Sequence, residues 1–422
     1  MTGPLSGVRV VDFTQAVAGP VAGVMLANLG AEVIHIEYSS GLRPVREASA
    51  LPLLPGHDDP PYNRGTIFNE CNRGKKSISL NVAHPEGREL FLRLVAASDV
   101  VVENYSPRVL GNLGIDYPEL VRRRPDIILA SIPAFGLSGP YRDKLSYGPG
   151  IDAMSGFSHL TGYPDSQPLK PGNFFCDQSS ATFCVLAVLG ALWRRRHTGE
   201  GARIEIPMIE TVFQLLGDAY MDYAMNGVER KRQGNAHDWI APHNVYPCAG
   251  TDTWVAIAVT TDVQWQALCG VIDRPDLGAH LEYAGVLGRY HGRRDIDAEI
   301  GAWTVTRDHY AIQQRLQAAG VPAGAVLDGL ELLRDPHVVA RGAFEYPYTP
   351  GVGPTPFARA PFMAGRPERD YVAPAPAYGE HNDEVFRDLL ALGAEEFERL
   401  ESEQVVLRVP IEYLRARASE NT

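Results

Sequence analysis

Cysteine is scarce and poorly placed for bridging. Cys71, Cys176, Cys184, Cys248 and Cys269 are five thiols in 422 residues, none in a C-x-x-C pair and odd in number. That argues against a disulfide framework and for a reducing, cytoplasmic compartment. Positive charge is short as well: 39 Lys and Arg stand against 51 Asp and Glu, a formal net charge of −12. General affinity for nucleic acid or an anionic membrane is therefore not expected, whereas an anionic ligand needs only a few local cations. The chain lacks a Walker A loop, a G-x-S-x-G elbow and an H-E-x-x-H helix, so P-loop phosphate binding, serine-hydrolase chemistry and a zincin site are set aside, and no metal is expected. His237 and His243, six apart, fit no zinc-finger spacing either. The most apolar run, 183–193, is too short to span a bilayer and reads as a core helix. The first residues show neither the basic nor the apolar region of a signal peptide, and none is expected. No internal repeat or low-complexity tract is visible.

What is present is an alternating pattern. Apolar strands at 8–13, 32–37, 100–104, 127–132 and 203–206 alternate with helical segments at 21–29, 86–97 and 118–124 and a long helix after Asp177. Such βαβ units predict an α/β, Rossmann-like parallel sheet with right-handed crossovers. A helix over 208–226 is expected to leave this layer. Beyond Gly227 the pattern changes to antiparallel strands (244–248, 254–259 and 321–326) and amphipathic helices. The expected organisation is a large α/β domain over 1–226, a small α+β domain over 227–326, and a return segment over 327–422 that completes the large domain. Residues 346–378, rich in Pro, Gly and Ala, read as a long coil wrapping its own or a partner's surface.

One segment has chemical promise. Asp177 precedes Gln178, Ser179 and Ser180 and a long apolar stretch, which ends in Arg194, Arg195, Arg196 and His197 before Gly199. This is the order of an N-cap, a first turn, a cationic last turn and a stop. A carboxylate at the positive end of a helix is favoured in its ionised form and can act as a nucleophile. The simpler reading is a capping residue alone.

Other motifs lie at strand ends. The first turn, with Gln15, Val17 and Ala18 before Gly19-x-x-x-Gly23, is not a G-x-G-x-x-G fingerprint, and Pro20 removes an amide that a pyrophosphate would use. Asn72-Arg73-Gly74-Lys75-Lys76 places cations before a strand, as a solvated edge or a phosphate contact. Asn104-Tyr105 after a strand suits stacking and amide recognition of a heterocycle, or a packed turn. Gly136 and Gly139 lie in a loop that continues to Lys144 and Tyr147, where a backbone can approach a ligand or simply turn.

Together these pieces resemble the class III CoA-transferases, of the formyl-CoA transferase and carnitine CoA-transferase type. The collinear matches are Leu5-Ser6-Gly7-Val8-Arg9-Val10-Val11-Asp12, Ala18-Gly19-Pro20, Leu29-Gly30-Ala31-Glu32-Val33, Asn72-Arg73-Gly74-Lys75-Lys76-Ser77, Val102-Glu103-Asn104-Tyr105, Gly139-Pro140-Tyr141, Thr198-Gly199-Glu200-Gly201, Gly320-Val321-Pro322-Ala323-Gly324 and Gly379-Glu380-His381-Asn382. No single piece is specific; their order along the chain is.

The resemblance implies that Asp177 is the nucleophile, forming a mixed anhydride and then an aspartyl-CoA thioester. No tightly bound cofactor is then needed, and CoA is the carrier of the substrate. It implies CoA contacts at Val17, Ala18, Tyr38, Asn104, Tyr105 and Tyr147, with Lys75 and Lys144 at phosphates, and substrate contacts at Gln15, His237 and His243. Tyr38 stands where formyl-CoA transferases carry an arginine. Asn235-Ala236-His237 with Ala241-Pro242-His243 resembles the branch acting on succinyl-CoA and benzylsuccinate-like acids. The family's interlocked homodimer is implied too. The alternatives are an α-methylacyl-CoA racemase, which shares the fold but needs a histidine before Ser155 that this chain lacks, and a CoA-binding protein without catalysis.

Overall fold

The computed structural model describes residues 3–37, 46, 60–349, 352–361 and 373–414. The chain divides into two compact units: one of Met1–Phe157, Lys170–Gly227 and Gly342–Thr422, the other of Ser158–Leu169 and Val228–Arg341. The return to the first unit thus begins at Gly342 rather than at residue 327, because helices Gly329–Arg334 and Pro336–Arg341 stay with the second unit.

The first unit is built on six strands: β1 (Arg9–Phe13), β2 (Glu32–Glu37), β3 (Lys76–Ser79), β4 (Val100–Glu103), β5 (Ile128–Ser131) and β6 (Ala202–Glu205). They lie in the order β3-β2-β1-β4-β5-β6, every pair parallel. From β1 the sheet grows first toward β2 and β3, then from β4 toward β6. A topological switch point therefore lies between β1 and β4, where ligands of such sheets bind. Val11, Ile34, Ile78, Val101 and Leu129 pack on one face with helix Pro85–Ala96 and with Phe386, Phe397 and Val406 of the return segment. Helices α1 (Ala18–Asn28), α2 (Thr66–Asn72), α3 (Gly148–Met154), α4 (Phe175–Thr198), α5 (Met208–Phe213) and α6 (Gly217–Asn226) also belong to this unit. The single helix expected over 208–226 is two, α5 and α6, separated at Gln214–Leu216.

Helix α4 packs along α1 and against α3 and α5. Its buried residues, Cys176, Asp177, Ser180, Ala181, Cys184, Val185 and Val188, recur every three or four positions and form one stripe. Leu186 and Trp193 on the remaining surface are exposed, so α4 is half-buried, not wholly a core helix. By length and composition alone it would pass for a membrane-crossing helix.

The return segment docks on the edge strand β3. Ser79 N–H donates to Asn382 Oδ1 at 2.9 Å, and Asn382 Nδ2 donates onward to Leu407 O at 2.9 Å. The stretch read as coil over 346–378 contains short antiparallel ladders, Tyr348–Thr349 with Gly353–Pro354 and, from just before it, Phe344–Glu345 with Phe357–Ala358. In the second unit, β7 (His243–Pro247), β8 (Trp254–Ala258) and β9 (Ala323–Val326) form an antiparallel sheet. Its core gathers Val255, Ile257, Trp265, Leu268, Ile300 and Leu316.

Candidate active site

The carboxyl ends of β1 and β4 are tied together. Asn104 Oδ1 accepts from the Gln15 backbone N–H at 2.8 Å, and Asn104 Nδ2 donates to Gln15 O at 2.7 Å. Each side of the Asn104 amide thereby makes one bond to the backbone of the β1 turn and keeps a further donor or acceptor site. What it fixes is the turn itself, where Ala16 sits at φ 60°, a left-handed conformation uncommon for a residue with a side chain. Val17 and Ala18 follow, buried, and open α1 without a side-chain cap. Tyr105 is half-buried, its ring 4.9 Å from that of Phe13.

Asp177 is not the N-cap of α4. Phe174 holds that position, and Asp177 lies inside the first turn. It is 7 % exposed. The backbone amides of Asp177 itself and of Ala18, the first residue of α1, reach its carboxyl, as does the Cys176 thiol at 3.5 Å from Oδ2. Gly148, the first residue of α3, abuts it: a Cβ at Gly148 would stand 2.3 Å from Asp177 Oδ2. Three helix starts, those of α1, α3 and α4, therefore meet at one carboxyl group. The starts of α1 and α4 present amides to it, and that of α3 stands close by. Burial nevertheless pushes the Asp177 carboxyl above its ordinary 3.8, against the opposing pull of the thiol and the two amides. Among the described residues, no cation is one of the groups that act on it. The result is a poorly solvated carboxylate with strong donors on one side, which raises its basicity and nucleophilic character.

A second buried aspartate lies on the strand that leads into α1. Asp12 on β1 pairs with Lys75, Nζ to Oδ2 at 2.6 Å, with both side chains fully buried. Lys75 Nζ also donates to Pro20 O at 2.8 Å and Asn72 Oδ1 at 2.9 Å. All three ammonium hydrogens are thus used inside the protein, and Lys75 is withdrawn as a phosphate contact. Thr14 and His35 face Asp12 as well. Burial alone would raise the Asp12 carboxyl, but Lys75 and His35 outweigh it and hold the group well below 3.8. Gly23 lets α1 pass over this pair, since a Cβ there would meet Asp12 Oδ2 at 2.6 Å and Lys75 Nζ at 2.8 Å.

Tyr147 caps α3 immediately before Gly148 and is 78 % exposed. That places it beside the nucleophile candidate. Lys144 is exposed on the same loop. Tyr38 lies outside the described residues. Glu37 just before it is gripped by Arg46, Nε to Oε2 at 2.5 Å and Nη2 to Oε1 at 2.7 Å. His237 and His243 belong to the second unit, where their rings lie 5.4 Å apart and line a cavity of about 130 Å³ with Tyr163, Asn235, Arg294 and Asp297. Another cavity, of about 570 Å³, opens at the amino ends of the parallel strands. Its charged groups Arg9, Glu32, Lys76, Asp99 and Arg124 pair among themselves, and it lies at the opposite end of the sheet from Asp177. The sequence reading passed over Gly148 and Asp152. Their signal was Gly148-Pro149, with proline in the first turn of a short helix.

Proteins of similar sequence and structure identify the family. The family model described as CoA-transferase family III matches residues 5–382. The chain belongs to CoA-transferase family III. It is 33 % identical to the succinyl-CoA–D-citramalate CoA-transferase of Chloroflexus aurantiacus over 96 % of this chain and 98 % of that one. It is 33 % identical to the succinate–glutarate CoA-transferase of Agrobacterium fabrum over 92 % and 96 %. A CAIB/BAIF family protein from Brucella suis superposes with a TM-score of 0.83 at 32 % identity, covering 92 % of this chain and all of that one. The protein is thus a CoA-transferase acting on CoA thioesters.

Proposed function

We propose that this CoA-transferase moves CoA from succinyl-CoA to a small carboxylic acid through covalent intermediates on Asp177. The observation that carries the reading is the carboxyl of Asp177, held at three helix starts without a neutralising cation. One carboxylate oxygen attacks the thioester carbonyl, the C–S bond breaks, and CoA leaves as the thiolate. The thiolate then attacks the Asp177 carbonyl of the mixed anhydride and expels succinate, leaving an aspartyl-CoA thioester. The acceptor carboxylate attacks that thioester, and the released thiolate takes up the acceptor's acyl group, which frees Asp177. The amides that open α1 stabilise the oxyanion of each tetrahedral stage.

The donor and acceptor class follows the relatives, whose names couple succinyl-CoA or succinate with citramalate, glutarate or mesaconate. Val17, Ala18, Tyr105 and Tyr147 border the CoA chain, Lys144 meets a phosphate, and Gln15 contacts the acids. The working form is an interlocked homodimer. Exposed apolar side chains on α4 and α6, Leu186, Trp193, Met221, Tyr223 and Met225, support burial against a second copy.

Incubation with succinyl-CoA, trapping with hydroxylamine or borohydride and peptide mapping test the mechanism. Modification at Asp177 is the expected result. Exchange of an α-proton without CoA transfer points instead to racemase chemistry.

A further inference from the structure

Beside Asp177 stands a carboxyl group to which the reaction above gives no task. Asp152 on α3 is 1 % exposed, and its Oδ1 is buried without a hydrogen-bond partner among the described residues. The thiol and the backbone amide of Cys176 both act on its carboxyl. The same thiol lies 3.5 Å from Asp177 Oδ2 and 3.3 Å from Gly148 O, and Cys176 is itself fully buried. One S–H proton therefore faces three acceptors. With both carboxyls ionised, two negative charges would share that proton, and Asp152 Oδ1 would be a bare buried anion, which is costly. A second proton resolves the arrangement, and the geometry says where it sits. Asp177 lies in the first turn of α4, with helix-start amides directed at it. Asp152, the fifth residue of α3, is reached by one such amide, that of Cys176, against the two on Asp177, and its Oδ1 has no partner among the described residues.

We propose that Asp152 is a positioning residue that stays protonated, donates to the Cys176 sulfur and so turns the Cys176 S–H toward Asp177 Oδ2, orienting the nucleophile. The inference rests on Asp177 being the nucleophile. The chain Asp152 O–H to Cys176 Sγ, then Cys176 S–H to Asp177, holds two protons and one negative charge. Burial and the charge of Asp177 both raise the Asp152 carboxyl, and burial with the two carboxyls keeps Cys176 a thiol. The thiol therefore does not intercept the acylated aspartate beside it. The other groups facing Asp152 leave the arrangement intact. Lys170 is an exposed cation, Glu210 on α5 is exposed, and Tyr220 on α6 donates to Ser155 O at 3.0 Å.

A carboxylate–carboxylic acid pair is active between its two macroscopic ionisations. The test is kcat for succinyl-CoA-dependent transfer from pH 5 to pH 9 in wild type, D152N and C176A, with infrared difference spectra of the same proteins. The wild type gives a bell. D152N keeps the acid limb and loses the alkaline one, kcat at pH 9 staying within about twofold of its maximum. It also loses one protonated-carboxyl band at pH 7. C176A loses the alkaline limb as well, because the thiol that links Asp152 to Asp177 is gone. An unchanged bell in D152N, or no missing carboxyl band, overturns the proposal. If D152N fails to fold, an alkaline limb retained in C176A overturns it. Failure on these readouts leaves the covalent label at Asp177 intact, whereas absence of that label removes the nucleophile itself.

Discussion

Two buried aspartates sit close to the start of α1, and their surroundings differ in one respect, a full countercharge. Asp12 is enclosed by Lys75, His35 and Thr14, and its charge is cancelled. Asp177 has amides and a thiol but no cation. Burial acts on both in the same sense. A full countercharge overcomes it at Asp12 and pulls the carboxyl down, while dipoles alone leave Asp177 raised. A full countercharge makes a carboxylate stable and inert. Partial charges from helix ends hold it in place and leave its lone pairs available. Gly23 and Gly148 play matching parts, each admitting a backbone where a Cβ would strike one of these carboxyls.

Exchanging the roles breaks this comparison most severely. D177A is expected to lower CoA transfer by about 10⁴-fold or more, the scale of losing an enzyme's nucleophile, while leaving the unfolding midpoint near or above that of wild type. K75M does the reverse. It leaves Asp12 as an uncompensated buried charge, and breaking such a pair costs about 3–5 kcal/mol. Urea unfolding measures that loss, and kcat per folded molecule is expected to stay close to wild type. Equal damage to kcat and stability in either variant would erase the distinction. G148A sharpens it at intermediate size. The new Cβ forces Asp177 Oδ2 out of a position 2.3 Å away, and a displacement of this order is expected to reduce kcat by about 10²-fold. The far-UV spectrum stays that of the wild type.

The same comparison marks what could be read from the chain alone. Strand β2 lies where alternation put it, over residues 32–37, and the parallel sheet and the helix after Asp177 follow from local pattern. Local pattern put Asp177 at the cap, and the structure has it as the third residue of the first turn. Lys75 reads as a phosphate contact because its partner, Asp12, is 63 residues away in sequence, and the tie from Asn104 to Gln15 spans 89. A polar residue near a strand end looks available until the fold brings a distant group to it. Asp152 and Cys176 escaped notice similarly, since each is ordinary in sequence and significant only through the three-acceptor geometry around one thiol. The break between α5 and α6 had no proline to announce it, only Gly217 after two leucines.

The smallest effect separates the two aspartates by sign alone. A folded-state pKa above the unfolded value means that the native state binds the proton more tightly. The stability Asp177 contributes is then greatest in acid and is lost as pH rises through its raised folded value. At neutral pH the ionised group is a burden, and D177N is expected to raise stability by about 1–2 kcal/mol, an advantage that shrinks as the solution is acidified toward 3.8. Asp12 runs the other way. Its folded value lies below 3.8, so its contribution is complete at neutral pH and is lost as pH falls from 3.8 toward the folded value. D12N is accordingly destabilising at pH 7, and its deficit against wild type narrows below about pH 4. Denaturant titrations of both variants from pH 8 down to about pH 2 give two difference curves of opposite sign, the D177N curve moving toward zero first and the D12N curve only below about pH 4. Curves of the same sign would mean that Asp177 is as fully compensated in the fold as Asp12, and its position at three helix starts would then be a matter of stability and not of reactivity.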